Sequence, residues 1–189
     1  MTTIITPLLS IATSCHWLAE SDPHKCSTLI DSWLFDHNSL TQKLQSKCQK
    51  FHVEVKQQLS VTPSEMSLSC YFAAEDKVLV REVLLYCDGV PVVFAQTEIP
   101  FSTLTDEQAA LAEIGTRSLG DVLFRDPSLK RAEIEVAEFT LGSEMHQLCQ
   151  QLGQTADFSL WGRRSVFHIN NKPLLVSEVF LPASAIYFS

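Results

Sequence analysis

The stretch VLVREVLLYCDGVPVVFAQTEI (residues 78–99) is the clearest indication of the fold. Two runs rich in apolar and β-branched residues, 78–87 and 90–99, are separated by Asp88-Gly89. Such a pair favours a two-residue turn between adjacent antiparallel strands. Asn170-Asn171 gives a second tight turn before the last strand. The chain therefore predicts a meandering antiparallel sheet, with further strands at 51–59, 132–140 and 161–169 and in KPLLVSEVFLPAS (172–184), where Pro182 ends the strand.

Other segments carry apolar residues at helical spacing. Residues 27–36 and 39–48, broken by His37-Asn38, predict a short helix–turn–helix. Further helices are predicted after Thr105, after Ser118 and over 143–152. We predict an α+β fold, a single antiparallel sheet of about six strands with helices on one face. No Pro/Gly/Ser-rich linker divides the chain, so residues 1–189 are predicted to form one domain.

Composition excludes several classes of function. The 189 residues are 46% hydrophobic, enough for a core that buries a small ligand. A net charge of −8 without a basic run argues against nucleic acid as a partner. No apolar run is long enough to span a membrane. The start, MTTIITPLLSIATSC (1–15), has a faint likeness to a lipoprotein signal but lacks a basic n-region, so an ordinary first segment is expected.

The sequence contains none of the common spacings of cysteine, histidine or glycine that bind metals or nucleotides. Six cysteines are scattered without a CxxC pair, and none has a histidine at zinc-ligand spacing. We predict free thiols in a cytoplasmic protein. The sequence has no HExxH, GxSxG or glycine-rich phosphate loop. The expected site therefore uses no metal and no cofactor. The cysteines are Cys15, Cys26, Cys48, Cys70, Cys87 and Cys149.

Two charged residues lie inside predicted strands. Glu178 shares a strand face with apolar neighbours, and Arg81 does the same in its own strand. Buried charges need partners, so the two could form a structural ion pair, Arg81 could bond backbone carbonyls, or each could bind a ligand. The Arg117–Gly120 turn begins a helix, whose free N–H groups could bind a carboxylate, although Ser118 capping its own helix is the commoner arrangement. Arg163 and Arg164 are predicted to pair with surface acids such as Glu133 and Glu135.

Three stretches resemble, in order and spacing, the chorismate lyase family. They are VLVREVLLYCDGVPVVFAQTEIP (78–100), LAEIGTRSLGDVLF (111–124) and LWGRRSVFHINNKPLLVSEVFLPAS (160–184), the last being the most specific. The similarity runs over most of residues 27–187. It implies an enzyme that eliminates pyruvate from chorismate without a cofactor, giving 4-hydroxybenzoate for ubiquinone synthesis. It also implies helices on one side of the sheet and a product buried under helical flaps.

The resemblance also assigns residues. Arg81 would hold the ring carboxylate with the backbone N–H of Leu119, Leu40 would supply a backbone contact from the first flap, and Glu178 would lie near the ring oxygen. Arg81 and Glu178 are thus the predicted catalytic residues. Glu178 could donate a proton to the departing ether oxygen, the favoured role, or accept the ring proton. Gln96 stands where relatives carry a basic residue, which could slow turnover.

Two other interpretations stay open from the sequence. One is a non-catalytic effector-binding domain like those of GntR-type regulators, although only about 26 residues precede the resemblance, too few for a DNA-binding domain. The other is an Arg81–Glu178 core ion pair in a protein without a pocket. A monomer with chorismate and 4-hydroxybenzoate as its small-molecule partners is the prediction that follows from the resemblance.

Overall fold

The computed structural model describes residue 11 and residues 15–22, 26–62 and 77–188. The first segment, apart from residues 11 and 15, and Cys70 therefore lie outside the described residues. Within these described residues, eight strands form one antiparallel sheet: β1 (Leu18–Ala19), β2 (Phe51–Val61), β3 (Val78–Cys87), β4 (Val90–Pro100), β5 (Lys130–Arg131), β6 (Glu135–Phe139), β7 (Leu160–Ile169) and β8 (Lys172–Phe180).

The sheet has the order β1-β6-β7-β8-β4-β3-β2, and β5 pairs with the far part of β7. Both predicted tight turns are present. Asp88 and Gly89 have φ values of 51° and 82°, and Asn170 and Asn171 have 50° and 64°, the left-handed pair that a two-residue hairpin turn needs. The prediction of about six strands missed β1 and β5, each only two residues long.

The predicted helix–turn–helix is confirmed as α1 (Thr28–Leu34) and α2 (Leu40–Gln45). Each begins at a serine whose hydroxyl accepts a backbone N–H, Ser27 from Ile30 and Ser39 from Gln42. The segment after Thr105 forms a 3₁₀ helix, Asp106–Glu113, followed by α3 (Leu119–Leu123). The helix predicted at 143–152 is α4 (Glu144–Gln151), and a short 3₁₀ helix, Ala185–Tyr187, follows β8.

Helices pack on both faces of the sheet, which corrects the prediction of one face. α1 and α2 cover the face that carries Val83, Ala95 and Phe180, and α3 packs over the same side. α4 packs through Met145 and Cys149 on the opposite face, called here the reverse face, against Leu84, Phe94 and Val179. The sheet is therefore the middle layer of three. Because successive residues of a strand alternate between faces, neighbouring positions in β3, β4 and β8 serve different layers.

Strands from Leu18 to Phe180 join this one sheet, which supports one domain over residues 1–189, and that boundary stays a prediction. The five described cysteines form no disulfide with one another. No described helix has the length and apolar character that crossing a bilayer requires.

Candidate active site

A cavity of about 50 Å³ lies between the sheet and the helices α2 and α3. Its floor is two rows of residues paired across four strands. One row contains Arg81, Thr97, Val176 and Ser165, and the next contains Val83, Ala95, Glu178 and Arg163. A lining that is mainly apolar with a few charged groups is typical of small-molecule sites. Leu40, Arg81, Leu119 and Glu178 all line it, so the structure brings together the four predicted site residues.

Arg81 is buried in the cavity wall with only 2% of its surface exposed. Its Nη2 donates to the carbonyl oxygens of Gly115, at 2.7 Å, and Arg117, at 3.4 Å. Its Nε–H is buried and has no hydrogen-bond acceptor in the described residues. No carboxylate of those residues forms an ion pair with Arg81. Burial lowers the pKa of this guanidinium. A buried positive charge with a free donor is costly, and an anionic ligand in the cavity would offset that cost.

The start of α3 forms the wall beside Arg81. Leu119 is the first residue of the helix, so its backbone N–H has no acceptor within the helix. Ser118 occupies the cap position, but its hydroxyl does not bond the helix and instead hydrogen-bonds Thr41 Oγ1 of α2. A Cβ added to Gly120 would lie 2.7 Å from that same Thr41 oxygen. The glycine and the serine thus let α2 approach α3 closely over the cavity.

Glu178 pairs with Arg163 and not with Arg81. Arg163 Nε donates to Glu178 Oε2 at 2.7 Å, and the two residues stand directly opposite each other in β7 and β8. The predicted Arg81–Glu178 ion pair was therefore wrong, whereas the predicted bonding of Arg81 to backbone carbonyls is confirmed at Gly115 and Arg117. The signal was available, because counting back from the Asn170-Asn171 turn places residue 163 opposite residue 178.

Arg163 is a core residue, 1% exposed, which corrects its predicted pairing with a surface acid. Its Nη1 donates to the carbonyl oxygens of Trp33 at 2.9 Å and Asp36 at 2.8 Å, at and just after the end of α1. Arg164 points to the reverse face and pairs with Glu135 at 2.8 Å, as the sequence predicted. The two adjacent arginines thus serve different layers. Arg163 anchors α1 and Glu178 at the same time.

Arg131 is a cavity residue that sequence reasoning missed. It belongs to the two-residue strand β5, which has no periodicity to read. Its Nε donates to Ser165 Oγ at 3.0 Å, and its Nη1 donates to Asp36 O at 3.2 Å. Burial first, and Arg163 second, lower its pKa to about 10. Arg131 therefore remains a cation at neutral pH.

Gln96 does not face the cavity. It alternates with the cavity residues Ala95 and Thr97, and its Nε2 donates to Glu82 Oε1 at 2.9 Å on the reverse face. A basic side chain at position 96 would be directed toward Glu82. Residue 96 therefore does not reach the cavity directly, and its effect on turnover stays a prediction.

The chain matches the model of the chorismate lyase family over residues 11–189. It belongs to that family. The chorismate lyase family includes a probable chorismate pyruvate-lyase from Psychromonas ingrahamii, to which the chain is 62% identical over 183 residues, 97% of each chain. A probable chorismate pyruvate-lyase from Shewanella sp. strain ANA-3 is 41% identical over 172 residues, 90% of each chain.

Solved structures show the fold shared outside the chorismate lyase family. The effector domain of PhnF from Mycobacterium smegmatis superposes with a TM-score of 0.56 at 15% identity, covering 78% of this chain and 91% of that one. A GntR-family regulator from Bacillus cereus gives 0.51 at 14% identity, covering 71% and 93%. At such identities the likeness shows the fold and not the ligand.

Proposed function

We propose that the protein eliminates pyruvate from chorismate in this cavity and releases 4-hydroxybenzoate, which is then used in ubiquinone synthesis. The observation that carries this proposal is the charge of the cavity in this member of the family. Three guanidinium groups line it against one carboxylate, leaving two positive charges. Chorismate carries two carboxylates, so it matches that charge. The product keeps only one of them.

The ring carboxylate is proposed to bind Arg81. The free Nε–H of Arg81 can donate to one carboxylate oxygen, and a charge-assisted hydrogen bond of this kind is about twice as strong as a neutral one. The Leu119 backbone N–H at the start of α3 is proposed as a second donor. Leu40, at the start of α2, closes the cavity from above, and its backbone contact with the ligand remains a prediction.

Glu178 is proposed to act on the ring itself. The reaction breaks the ether C–O bond and removes the proton from the adjacent carbinol carbon, and the released enolpyruvate takes up a proton to become pyruvate. Arg163 holds Oε2 of Glu178 in an ion pair, which leaves Oε1 as the oxygen without a hydrogen bond in the described residues. We propose that Oε1, the oxygen that Arg163 does not hold, accepts the ring proton. Donation to the ether oxygen, favoured from sequence, is the alternative.

The pocket also bears on the third interpretation, an ion pair without a cavity. Arg81 and Glu178 lie in adjacent rows of the cavity floor, with Thr97 and Ala95 of β4 between their strands. Open space therefore exists where that interpretation requires packed side chains.

The test is the appearance of 4-hydroxybenzoate and pyruvate from chorismate, followed by chromatography with no metal or nucleotide added. Wild type is expected to form both products in equal amounts, and Arg81→Met and Glu178→Gln are expected to lose most of the activity. Arg164→Met removes an arginine of the same strand from the reverse face and is the matched control. No product from wild type would reject the proposal. If 4-hydroxybenzoate still bound in that case, an effector-type binding domain would be the better description.

A monomer in the cytoplasm is proposed alongside this function, since a small-molecule reaction of this kind needs no partner chain. Sedimentation analysis at micromolar concentration tests the first part, and a species of twice the 21.2 kDa mass would reject it.

A further inference from the structure

Arg131 is a second arginine of the cavity without a carboxylate partner. Throughout the part of the chain that the structure describes, it forms no ion pair, and only its Nε and Nη1 make hydrogen bonds. Nη2 thus keeps its two N–H donors. Because a guanidinium presents its donors in a rigid fork, a free Nη2 beside a cavity is a place for an anionic oxygen.

The side chain is held before any ligand arrives. Ser165 Oγ accepts from Nε at 3.0 Å, Asp36 O accepts from Nη1 at 3.2 Å, and the guanidinium carbon lies 5.0 Å from the centre of the Phe167 ring. Arg163 also donates to Asp36 O, so two positive groups share one acceptor. Only one of them, Arg163, is balanced by Glu178. The site is therefore preorganised and short of one negative charge.

Arg81 and Arg131 stand at opposite ends of one row of the cavity floor. Arg81 lies opposite Thr97, Thr97 opposite Val176, and Val176 opposite Ser165, to which Arg131 is bonded. The row crosses three strand spacings, about 14 Å between the backbones of β3 and β7. Both long side chains line the space between, so the two cationic heads approach a ligand from its two ends.

We propose that Arg131 binds the enolpyruvyl carboxylate of chorismate while Arg81 binds the ring carboxylate. This assignment rests on the proposed function. The enolpyruvyl carboxylate leaves with pyruvate, whereas the ring carboxylate stays in 4-hydroxybenzoate. Arg131 is therefore a substrate-binding residue that contacts the substrate and not the aromatic product, and it sets the preference for a dianionic ligand.

The experiment compares the effect of a substitution at Arg131 on the substrate with its effect on the aromatic product. For Arg131→Met, which keeps the length of the side chain and removes its charge, kcat/KM for chorismate is expected to fall about 10- to 100-fold, the size of one hydrogen bond to a charged group. The dissociation constant of 4-hydroxybenzoate, measured by calorimetry, is expected to stay within about threefold, below the effect of one such bond. Arg131→Lys should lose less than Arg131→Met, and Arg164→Met should match wild type in both measurements.

A ligand pair tests the same assignment in wild type, in case Arg131→Met does not fold. 3-(Carboxymethoxy)benzoate carries a second carboxylate on a meta ether, and 3-ethoxybenzoate has the same shape without it. The diacid is expected to bind at least about tenfold more tightly. Equal affinities would overturn the assignment. So would an equal loss of chorismate and 4-hydroxybenzoate affinity in Arg131→Met, or no loss of either. Failure of wild type to form products would reject the proposed function instead.

Discussion

Arg163 and Glu178 face each other across β7 and β8, with Arg163 Nε 2.7 Å from Glu178 Oε2. The same guanidinium holds carbonyl oxygens of Trp33 and Asp36 through Nη1. One side chain therefore holds both the acid of the site and the end of α1. The orientation of Glu178 depends on the position of α1.

Arg163→Met is expected to destabilise the protein by about 3–5 kcal/mol, the usual cost of leaving one member of a buried ion pair unpaired. The pair is well shielded, with side-chain exposures of 2% and 17%. Urea unfolding monitored by fluorescence measures the change. Arg164→Met, which breaks the somewhat more exposed pair with Glu135, should cost less than Arg163→Met. Equal losses in the two variants would contradict a special role for Arg163.

Glu178→Gln is expected to keep the fold and lose the chemistry. The amide oxygen can still accept from Arg163, but the side chain can no longer take up or release a proton. We expect kcat to fall about 10²- to 10⁴-fold, the range for a general acid or base. Affinity for 4-hydroxybenzoate, measured by calorimetry, should change by less than about tenfold because Arg81 is untouched. A kcat within a few-fold of wild type would remove Glu178 from the proton transfer.

Gly120→Ala tests the approach of α2 to α3. In an open helix this change usually stabilises by about 1 kcal/mol. Here the new Cβ would lie 2.7 Å from Thr41 Oγ1, so a loss of about 1–3 kcal/mol is expected, as for other overpacked sites. Urea unfolding gives the value. The double variant Thr41→Ala, Gly120→Ala removes the clashing oxygen, and its loss should be smaller than the sum of the single losses. Strict additivity would show that no such clash exists.

Glu98 makes stability depend on pH. It is 1% exposed on the reverse face, its Oε2 has no partner in the described residues, and burial raises its pKa to about 8, although Arg164 opposes the shift. The folded protein therefore holds a proton that the unfolded chain releases near pH 4.5. Stability from this group is complete below that pH and is lost as the pH rises through about 8.

Glu98→Gln should remove this dependence. The variant is expected to be more stable than wild type at pH 8 and to lose that advantage toward pH 5, with a slope of up to about 1.4 kcal/mol per pH unit. Urea unfolding at both pH values measures it. An advantage that is the same at pH 5 and pH 8 would mean that Glu98 does not titrate in this range.

The sequence was informative where local chemistry decides the structure. Asp88-Gly89 and Asn170-Asn171 predicted the hairpins, and Ser27 and Ser39 begin helices where the apolar spacing placed them. It was not informative where the position of a residue depends on contacts with elements far away in the chain. Arg131 reaches the cavity only because β5 pairs with β7, and Arg163 is buried only because α1, some 130 residues earlier, supplies its acceptors. Charge and periodicity in one stretch do not contain such contacts.

The order of the strands has a consequence for how the protein is made. β7 and β8 are the last strands of the sheet to leave the ribosome, yet they occupy its centre, between β6 and β4. Until they emerge, β4 has an unpaired edge that includes Val93 and Phe94, and such an edge invites pairing with other chains. A nascent or truncated chain that stops before Leu160 therefore has two separate half-sheets and only the β3 and β4 half of the cavity floor, with an open edge that favours aggregation.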